Sequence, residues 1–448
     1  YPHGCIEQTT SAAFPQVYLD RLANLSAGEL DRTQENVAKA IERIALFQTP
    51  SGGFAYWPGE TDAHDWSTSY AGHFLLEADR RGYAVPAGLL SRWIDYQAER
   101  ANAWYGAERD SVLEQAYRLY TLALAREPSY VAMNRLREVD ALPSVARWRL
   151  AAAYSLAGNT ATAMSVIRGA EVSVADYAAP GDTYGSELRD RAMILETLVG
   201  LGDSRAAVLA KEVSDALSSD AGMSTQTSAY ALLAMAKYAM VTDSSEEIDL
   251  TWSWNNAPVQ RLVADTAVVS QEMPVEGVGV GSLTLENRTG GRLFPRIIVE
   301  GVPRPGRERP IASGLRLDVD YYVEGRVADV ERLPAGEDVE IRVRVTNTSR
   351  TRGYEELVLN HILPAGWEIA NARLAGSAQS ENLDFRDIRD DRVYTYFDLG
   401  AARTTTFTIS VTTAYEGSYY LPAVSCEAMY EPAITALEPG RWVEVTGR

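Results

Sequence analysis

The sequence predicts a multidomain α + β chain, helical in its first half and all-β in its second. Three observations carry this. At 448 residues the chain exceeds one ordinary domain and leaves room for roughly two to four. From residue 9 to about 240, alanine and leucine abound and apolar residues recur at the helical spacings of three and four. From about Leu250 the texture turns to β-branched runs punctuated by proline and glycine.

Segments 36–44 and 113–122 show the helical period most clearly. Breaks at Gly52-Gly53, Gly82, Pro128, Pro143, Gly158, Pro180-Gly181, Gly202 and Gly222 divide this half into roughly ten to twelve helices. A weak internal repeat is visible. Trp66-Ser67-Thr68-Ser69-Tyr70-Ala71 opens one helix, and Met223-Ser224-Thr225-Gln226-Thr227-Ser228-Ala229-Tyr230-Ala231 opens another, each with Ser/Thr caps before Tyr-Ala. Stacked helical hairpins of this kind wind into a solenoid or close into an α/α toroid.

In the second half, 263–269, 296–300, 339–345 and 405–411 read as strands. Residues 338–346 alternate as a strand with one wet face does. Gly301-Val302-Pro303-Arg304-Pro305-Gly306-Arg307 reads as a linker. It separates a short β segment, about 245–310, from a unit of β-sandwich size, about 311–448.

The totals exclude several classes. A net charge of −19 and a pI near 4.8 argue against binding nucleic acid or an anionic membrane. No apolar run approaches a membrane span. The four histidines (His3, His64, His73, His361) and the two cysteines (Cys5, Cys426) show no metal-ligand spacing, so no metal site is expected, and no cofactor motif is present. One Cys5–Cys426 bridge remains open. With no initiator methionine and no leader, the sequence reads as a cut piece or a mature product. Lysine is scarce: Lys39, Lys211 and Lys237 stand among 42 basic residues. The plain reading is codon bias in a GC-rich genome.

The chemistry concentrates at the head of the chain, Tyr1-Pro2-His3-Gly4-Cys5-Ile6-Glu7-Gln8. A cysteine and a glutamine three residues on reach each other across one tight turn. Attack of the Cys5 thiol on the Gln8 amide expels ammonia and closes a thioester, a stored electrophile that an amine or a hydroxyl opens. Gly4 allows backbone geometry that a Cβ forbids. Water wastes the bond, so it must be kept dry, and Tyr1 is a cover or a simple hydrophobic anchor. Cys5 as a buried structural thiol and Gln8 as a polar residue at a helix start are the bland alternatives. Glu7 is read as solvated or loop-stabilising, His64 as structural, and residues 52–59 as lining a pocket or, the plainer reading, as a turn between hairpins whose aromatics pack locally.

Gly4-Cys5-Ile6-Glu7-Gln8-Thr9 resembles the thioester signature of the α2-macroglobulin and complement family, and its flanks resemble the bacterial branch. Residues 48–59, 224–238 and 363–369 agree. The resemblance covers essentially the whole chain but only the C-terminal part of a family member. It implies a thioester domain, an α/α toroid, over 1–242. It implies the second half of a CUB-like β domain over 243–310, and a last macroglobulin-like β-sandwich in the receptor-binding position over 311–448. It implies a protease inhibitor of bacterial defence that traps attacking proteases covalently through lysine amines. That is a single-use inhibitor, not a turnover enzyme. A penicillin-binding protein partner and a periplasmic or cell-envelope location, with a lipid anchor upstream, follow from the same resemblance. In some relatives a downstream histidine attacks the thioester first; the matching region here, 92–122, has none, which implies direct attack by amines. The resemblance also makes Tyr430 a candidate lock over the thioester, on one strand face with Val424, Cys426 and Ala428. Under this reading the scarcity of lysine limits self-acylation, since a guanidinium is a poor nucleophile.

Three other readings compete. A toroid enzyme of the terpene cyclase or prenyltransferase kind wants an aspartate-rich or zinc motif that the helical half lacks. A cysteine peptidase wants a histidine base, which His64 or His73 would have to supply. A surface adhesin could use the same thioester.

Overall fold

A computed structural model describes residues 4–106, 111–140, 142–174, 178–179, 183–219, 223–241, 248–255, 257–266, 268–273, 281–288, 293, 295–298, 304–370 and 383–447. The chain divides into two compact units, Tyr1–Ala221 with Thr225–Arg296, and Gly222–Ser224 with Ile297–Arg448.

The first unit is built on helices α1 (Ile6–Ala13), α2 (Ala27–Ala45), α3 (Asp65–Arg80), α4 (Ala87–Ala103), α5 (Ser111–Leu124), α6 (Tyr130–Arg137), α7 (Ser144–Leu156), α8 (Thr160–Val166), α9 (Glu187–Leu201), α10 (Ala206–Leu217) and α11 (Thr225–Val241). A short helical stretch, Pro15–Tyr18 and Leu19–Leu22, follows α1. The odd-numbered helices pack in succession and α11 packs back on α1, so they close a ring. The even-numbered helices pack against one or both of their ring neighbours. Of the two outcomes open to stacked hairpins, this is the toroid. Burial follows the layers. Ring helix α3 buries every residue from Trp66 to Ala78, whereas α4 buries only the stripe Leu89, Trp93, Gln97, Ala101. The breaks at Gly82, Pro128, Pro143, Gly158 and Gly202 fall between helices; 180–181 and Gly222 lie outside the described residues. The repeated serines and threonines do not cap α3. His64 does, its Nδ1 accepting the Ser67 N–H at 3.2 Å, and Thr68 instead bonds the backbone of Phe54 from within the ring. The two repeat tyrosines meet: Tyr70 and Tyr230 stack at 5.3 Å.

Inside the ring lies a buried ionic cluster. The Lys237 ammonium donates to Glu77 Oε1 at 2.5 Å and to Glu196 Oε1 at 2.6 Å, and Arg149 Nη2 lies 2.6 Å from Glu196 Oε2. His73 Nε2 is 3.5 Å from both carboxylates, and the Arg149 guanidinium covers Tyr120 at 4.4 Å. Two carboxylates out of water demand positive charge; here an ammonium and a guanidinium supply it. His73, Glu77 and Glu196 cluster closely enough to hold a metal ion, but the Lys237 ammonium already sits between the two carboxylates.

A three-stranded antiparallel sheet of Gln260–Ala264, Ile248–Trp254 and Leu283–Asn287 completes the first unit. The strand expected over 263–269 ends at Ala264, and Val268 makes an isolated bridge to Ala23. Residues 296–298, expected as a strand, are not one; 299–300 and 301–303 lie outside the described residues. Among the described residues no strand pairs with this run, so it has no ladder to join.

The second unit is a β-sandwich. One sheet runs Trp367–Ile369, Thr404–Thr413, Asp338–Asn347, Leu315–Val323, Arg326–Val327. The other runs Phe385–Ile388, Arg392–Leu399, Tyr354–Ile362, Val424–Ala428, Glu431–Glu438, Ile311–Ser313. Asp338–Asn347 alternates as its sequence predicts, with Val339, Ile341, Val343 and Val345 in the core. Phe397 and Phe407 meet between the sheets at 4.6 Å. A small third sheet pairs Arg441–Thr446 antiparallel with Gly417–Leu421 and parallel with Arg332–Pro334.

The ionic cluster makes stability pH-dependent. Burial raises the Glu196 carboxyl, but Arg149 and Lys237 outweigh it and hold the group well below its ordinary 4.5; Glu77 behaves alike beside Lys237 and His73. Burial pushes His73 below its ordinary 6.5 against the pull of Glu196. Burial lowers Lys237, but Glu196 and Glu77 lift it well above 10.5. Depressed carboxyls contribute stability above their unfolded value and lose it as pH falls through the folded one; His73 adds to the same acid limb. The raised lysine contributes below 10.5 and loses as pH climbs through its folded value. Urea unfolding should therefore show a plateau between His73's and Lys237's ordinary values, with loss on either side. Glu196→Gln should cost about 3–5 kcal/mol at neutral pH and flatten the acid limb. An unchanged acid limb would count against the cluster.

Candidate functional site

The first turn of α1 brings Cys5 and Gln8 together. Cys5 is the N-cap, in an extended conformation at φ −67° and ψ 173°, and its Sγ accepts the Gln8 N–H at 3.5 Å. Gly4 sits at φ +105°. A Cβ on Gly4 would lie 2.0 Å from Gln8 Oε1 and 3.0 Å from Gln8 Cδ. The Gln8 carboxamide is thus folded back over the Gly4 backbone, towards the residue that precedes the thiol. Glycine is required twice here, for the left-handed φ and for the space. Cys5 is fully buried and Gln8 half-buried.

Four residues hold the turn. The Ile6 N–H donates to the Tyr56 carbonyl at 3.1 Å. Arg43 Nη2 donates to the Gly4 carbonyl at 3.3 Å. The Glu7 carboxylate accepts from Ser11 Oγ at 2.6 Å and from Thr225 Oγ1 at 3.1 Å. Glu7 is 0 % exposed, which corrects the reading of it as solvated and leaves the stabilising role. Just below, Phe14 packs its ring on His73 at 4.9 Å and Phe74 at 5.7 Å.

Residues 52–59 supply aromatics as well as the turn. Tyr56, whose carbonyl anchors Ile6, stacks on Tyr184 at 5.8 Å, lies 5.7 Å from His64 and meets Trp57 edge-on at 5.4 Å. His64 acts as the cap of α3, and His73 belongs to the ionic cluster. Tyr1 lies outside the described residues. Tyr430 belongs to the second unit, half-buried in the turn between Val424–Ala428 and Glu431–Glu438, so it does not continue the strand face of Val424, Cys426 and Ala428. Cys426 is a free, buried thiol facing Leu359 across the sheet, so the Cys5–Cys426 bridge is not formed. Arg43 and Thr225 escaped the sequence reading, and Tyr56 was singled out only as part of residues 52–59. Thr225 carried one signal, its place in the repeat; Arg43 carried none among so many arginines.

A helical toroid headed by a Cys-X-X-Gln turn, followed in sequence by a β-sandwich, defines the class of fold. Within that class, the chain is homologous to bacterial alpha-2-macroglobulins over 97% of its length. It is 26% identical over 476 residues to the alpha-2-macroglobulin of Xylella fastidiosa (strain Temecula1 / ATCC 700964), of which it spans 28%. The family model described as Bacterial Alpha-2-macroglobulin MG10 domain matches residues 314–433. Two solved structures share the fold. One is native alpha-2-macroglobulin from Escherichia coli, from domain MG7 to the C-terminus, with 20% identity, a TM-score of 0.77, and coverage of 99% of this chain and 73% of that one. The other is Salmonella alpha-2-macroglobulin reacted with methylamine, with 22% identity, a TM-score of 0.76, and coverage of 100% and 30%.

Gly4→Ala should expel the Gln8 carboxamide from its place over residue 4. It should lower stability by about 1–3 kcal/mol, the cost of a strained non-glycine backbone. A crystal structure of the variant with Gln8 unmoved would refute the fit described above.

Proposed function

We propose that this chain is the C-terminal, thioester-bearing part of a bacterial α2-macroglobulin-like protease trap. The observation that carries the reading is the fold of the Gln8 carboxamide over Gly4, in the same turn that Cys5 caps. The Cys5 sulfur adds to Gln8 Cδ, the C–N bond breaks, and ammonia leaves with the thiol proton. An attacking amine later adds to the same carbon and the C–S bond breaks. The amine's proton passes to the departing sulfur, which sits where an α1 amide already donates to it. An amide donor at the N-terminal end of a helix suits a sulfur that gains negative charge.

Upstream of this chain, cleavage of a bait segment would expose the bond, and a lysine of the attacking protease would take the acyl group. The act happens once per molecule, so the protein is an inhibitor and not a turnover enzyme. The homology over nearly the whole chain supports the reading, as does the methylamine reaction that the Salmonella relative underwent. We assign the thioester domain to 1–242, a returning CUB-like segment to 243–310 and the last macroglobulin domain to 311–448. Tyr1 and Tyr430 are the proposed covers of the bond. A penicillin-binding protein partner and an envelope location with an upstream lipid anchor belong to the same proposal. No described helix is long and apolar enough to cross a membrane.

Methylamine should react with freshly folded full-length protein, adding one methylamide at Gln8 and releasing one thiol at Cys5. Peptide mass mapping that always finds both residues unmodified, with and without methylamine, would remove the proposal.

A second test uses the arginine beside the turn. Arg43→Lys puts a primary amine beside the turn, on the side of the Gly4 carbonyl. The thioester should then be lost faster than in wild type, and faster than in Arg43→Gln, which removes the contact without adding an amine. Equal lifetimes for the lysine and glutamine variants would leave codon bias as the account of the scarce lysines.

A further inference from the structure

We propose that Glu7 is a positioning residue for the thioester turn. A hydroxyl clasp of Ser11, Tyr70 and Thr225 holds it, and that clasp governs how readily the bond closes and how long it lasts. The inference rests on the Cys5–Gln8 reading proposed above.

Glu7 lies in the chain between the two reacting residues, so its backbone torsions are part of the ring the bond would close. A glutamate in the first turn of a helix ordinarily points to water. This one is 0 % exposed, and burial of a carboxylate is costly unless donors replace water. Ser11 Oγ donates at 2.6 Å to Oε1, and Thr225 Oγ1 lies 3.1 Å from Oε1 and 3.2 Å from Oε2. The Tyr70 hydroxyl is 2.9 Å from Ser11 Oγ. Because the Ser11 proton is committed to Glu7, Tyr70 donates to Ser11. One carboxylate therefore joins three ring helices: α1 through Ser11, α3 through Tyr70 and α11 through Thr225.

The charge suits the place. Thr225 is the first residue of α11, a helix of 17 residues, so the carboxylate sits at that helix's positive end as well as in the first turn of its own. The clasp fixes the Glu7 backbone before any bond forms, which raises the effective concentration of thiol at the amide carbon. Once the bond exists, the same restraint keeps the turn from swinging into water.

The experiment uses full-length protein with Thr225→Val, Thr225→Ser and Glu7→Ala. For each, the intact mass of fresh protein gives the fraction lacking one ammonia, its decay in amine-free buffer gives the lifetime, and thermal melting reports folding. Thr225→Val should lose the bond about tenfold faster than wild type, the scale of one hydrogen bond to a charged group. Thr225→Ser, which keeps the hydroxyl, should restore the lifetime, and Glu7→Ala should show little closed bond. Should Glu7→Ala not fold, the valine and serine pair decides alone. A wild-type lifetime in Thr225→Val, or a serine variant as short-lived as the valine one, overturns the inference while the thioester stands. Wild-type protein that never shows the ammonia-deficient mass overturns the thioester reading itself, and this inference with it.

Discussion

Closure of the helical ring is the constraint on which the rest of this structure depends. Helix α1 has eight residues, too few to be stable alone in water. It persists because α11 packs on one side and α3 on the other. Glu7 and Thr225 are 218 positions apart in sequence and meet only because the last ring helix returns to the first. The ionic cluster has the same origin. Its charges come one or two at a time from α3, α7, α9 and α11, and the Glu77–Lys237 pair joins the two sides of the closure. The Cys5–Gln8 turn is thus a property of the whole toroid.

Much of the architecture was legible. The change from helical to alternating texture located the two halves, and 338–346 gave its strand and its buried face directly. The Cys-X-X-Gln spacing identified the turn, because reach across one turn of chain is a local matter. What failed to show was non-local. Glu7 reads from its sequence as solvated or loop-stabilising; Ser11 is a local partner, but Thr225 is in the last helix of the ring. Glu77, Arg149, Glu196 and Lys237 come from separate helices, the first and last of them 160 positions apart. Their only trace was a charge in an otherwise apolar stretch. The run at 296–298 shows the converse error, since its β-branched residues imply a strand only where a neighbour offers a ladder.

The state of the three lysines bears on the proposed chemistry. Lys39 pairs with Glu35 and Lys211 with Asp215, each one helical turn away. Lys237 is fixed between two carboxylates that hold its proton. A protonated ammonium has no lone pair to offer an acyl carbon. The one lysine inside the toroid is therefore also the one whose nucleophilicity is most suppressed, and a guanidinium, that of Arg43, not an amine, is set against the Cys5–Gln8 turn.

The sandwich joins the ends of its own sequence. Its opening strand, Ile311–Ser313, pairs with Glu431–Glu438, and its closing strand, Arg441–Thr446, lies parallel to Arg332–Pro334. The six-stranded sheet lacks a member until Glu431–Glu438 has been made, and the small sheet lacks its middle strand until Arg441–Thr446 has been made. On a ribosome this unit must wait, with its core valines and isoleucines uncovered, until those strands emerge. The most exposed stage in the life of this part of the chain is its synthesis, and removing Arg441–Thr446 takes away the strand that fastens the small sheet together.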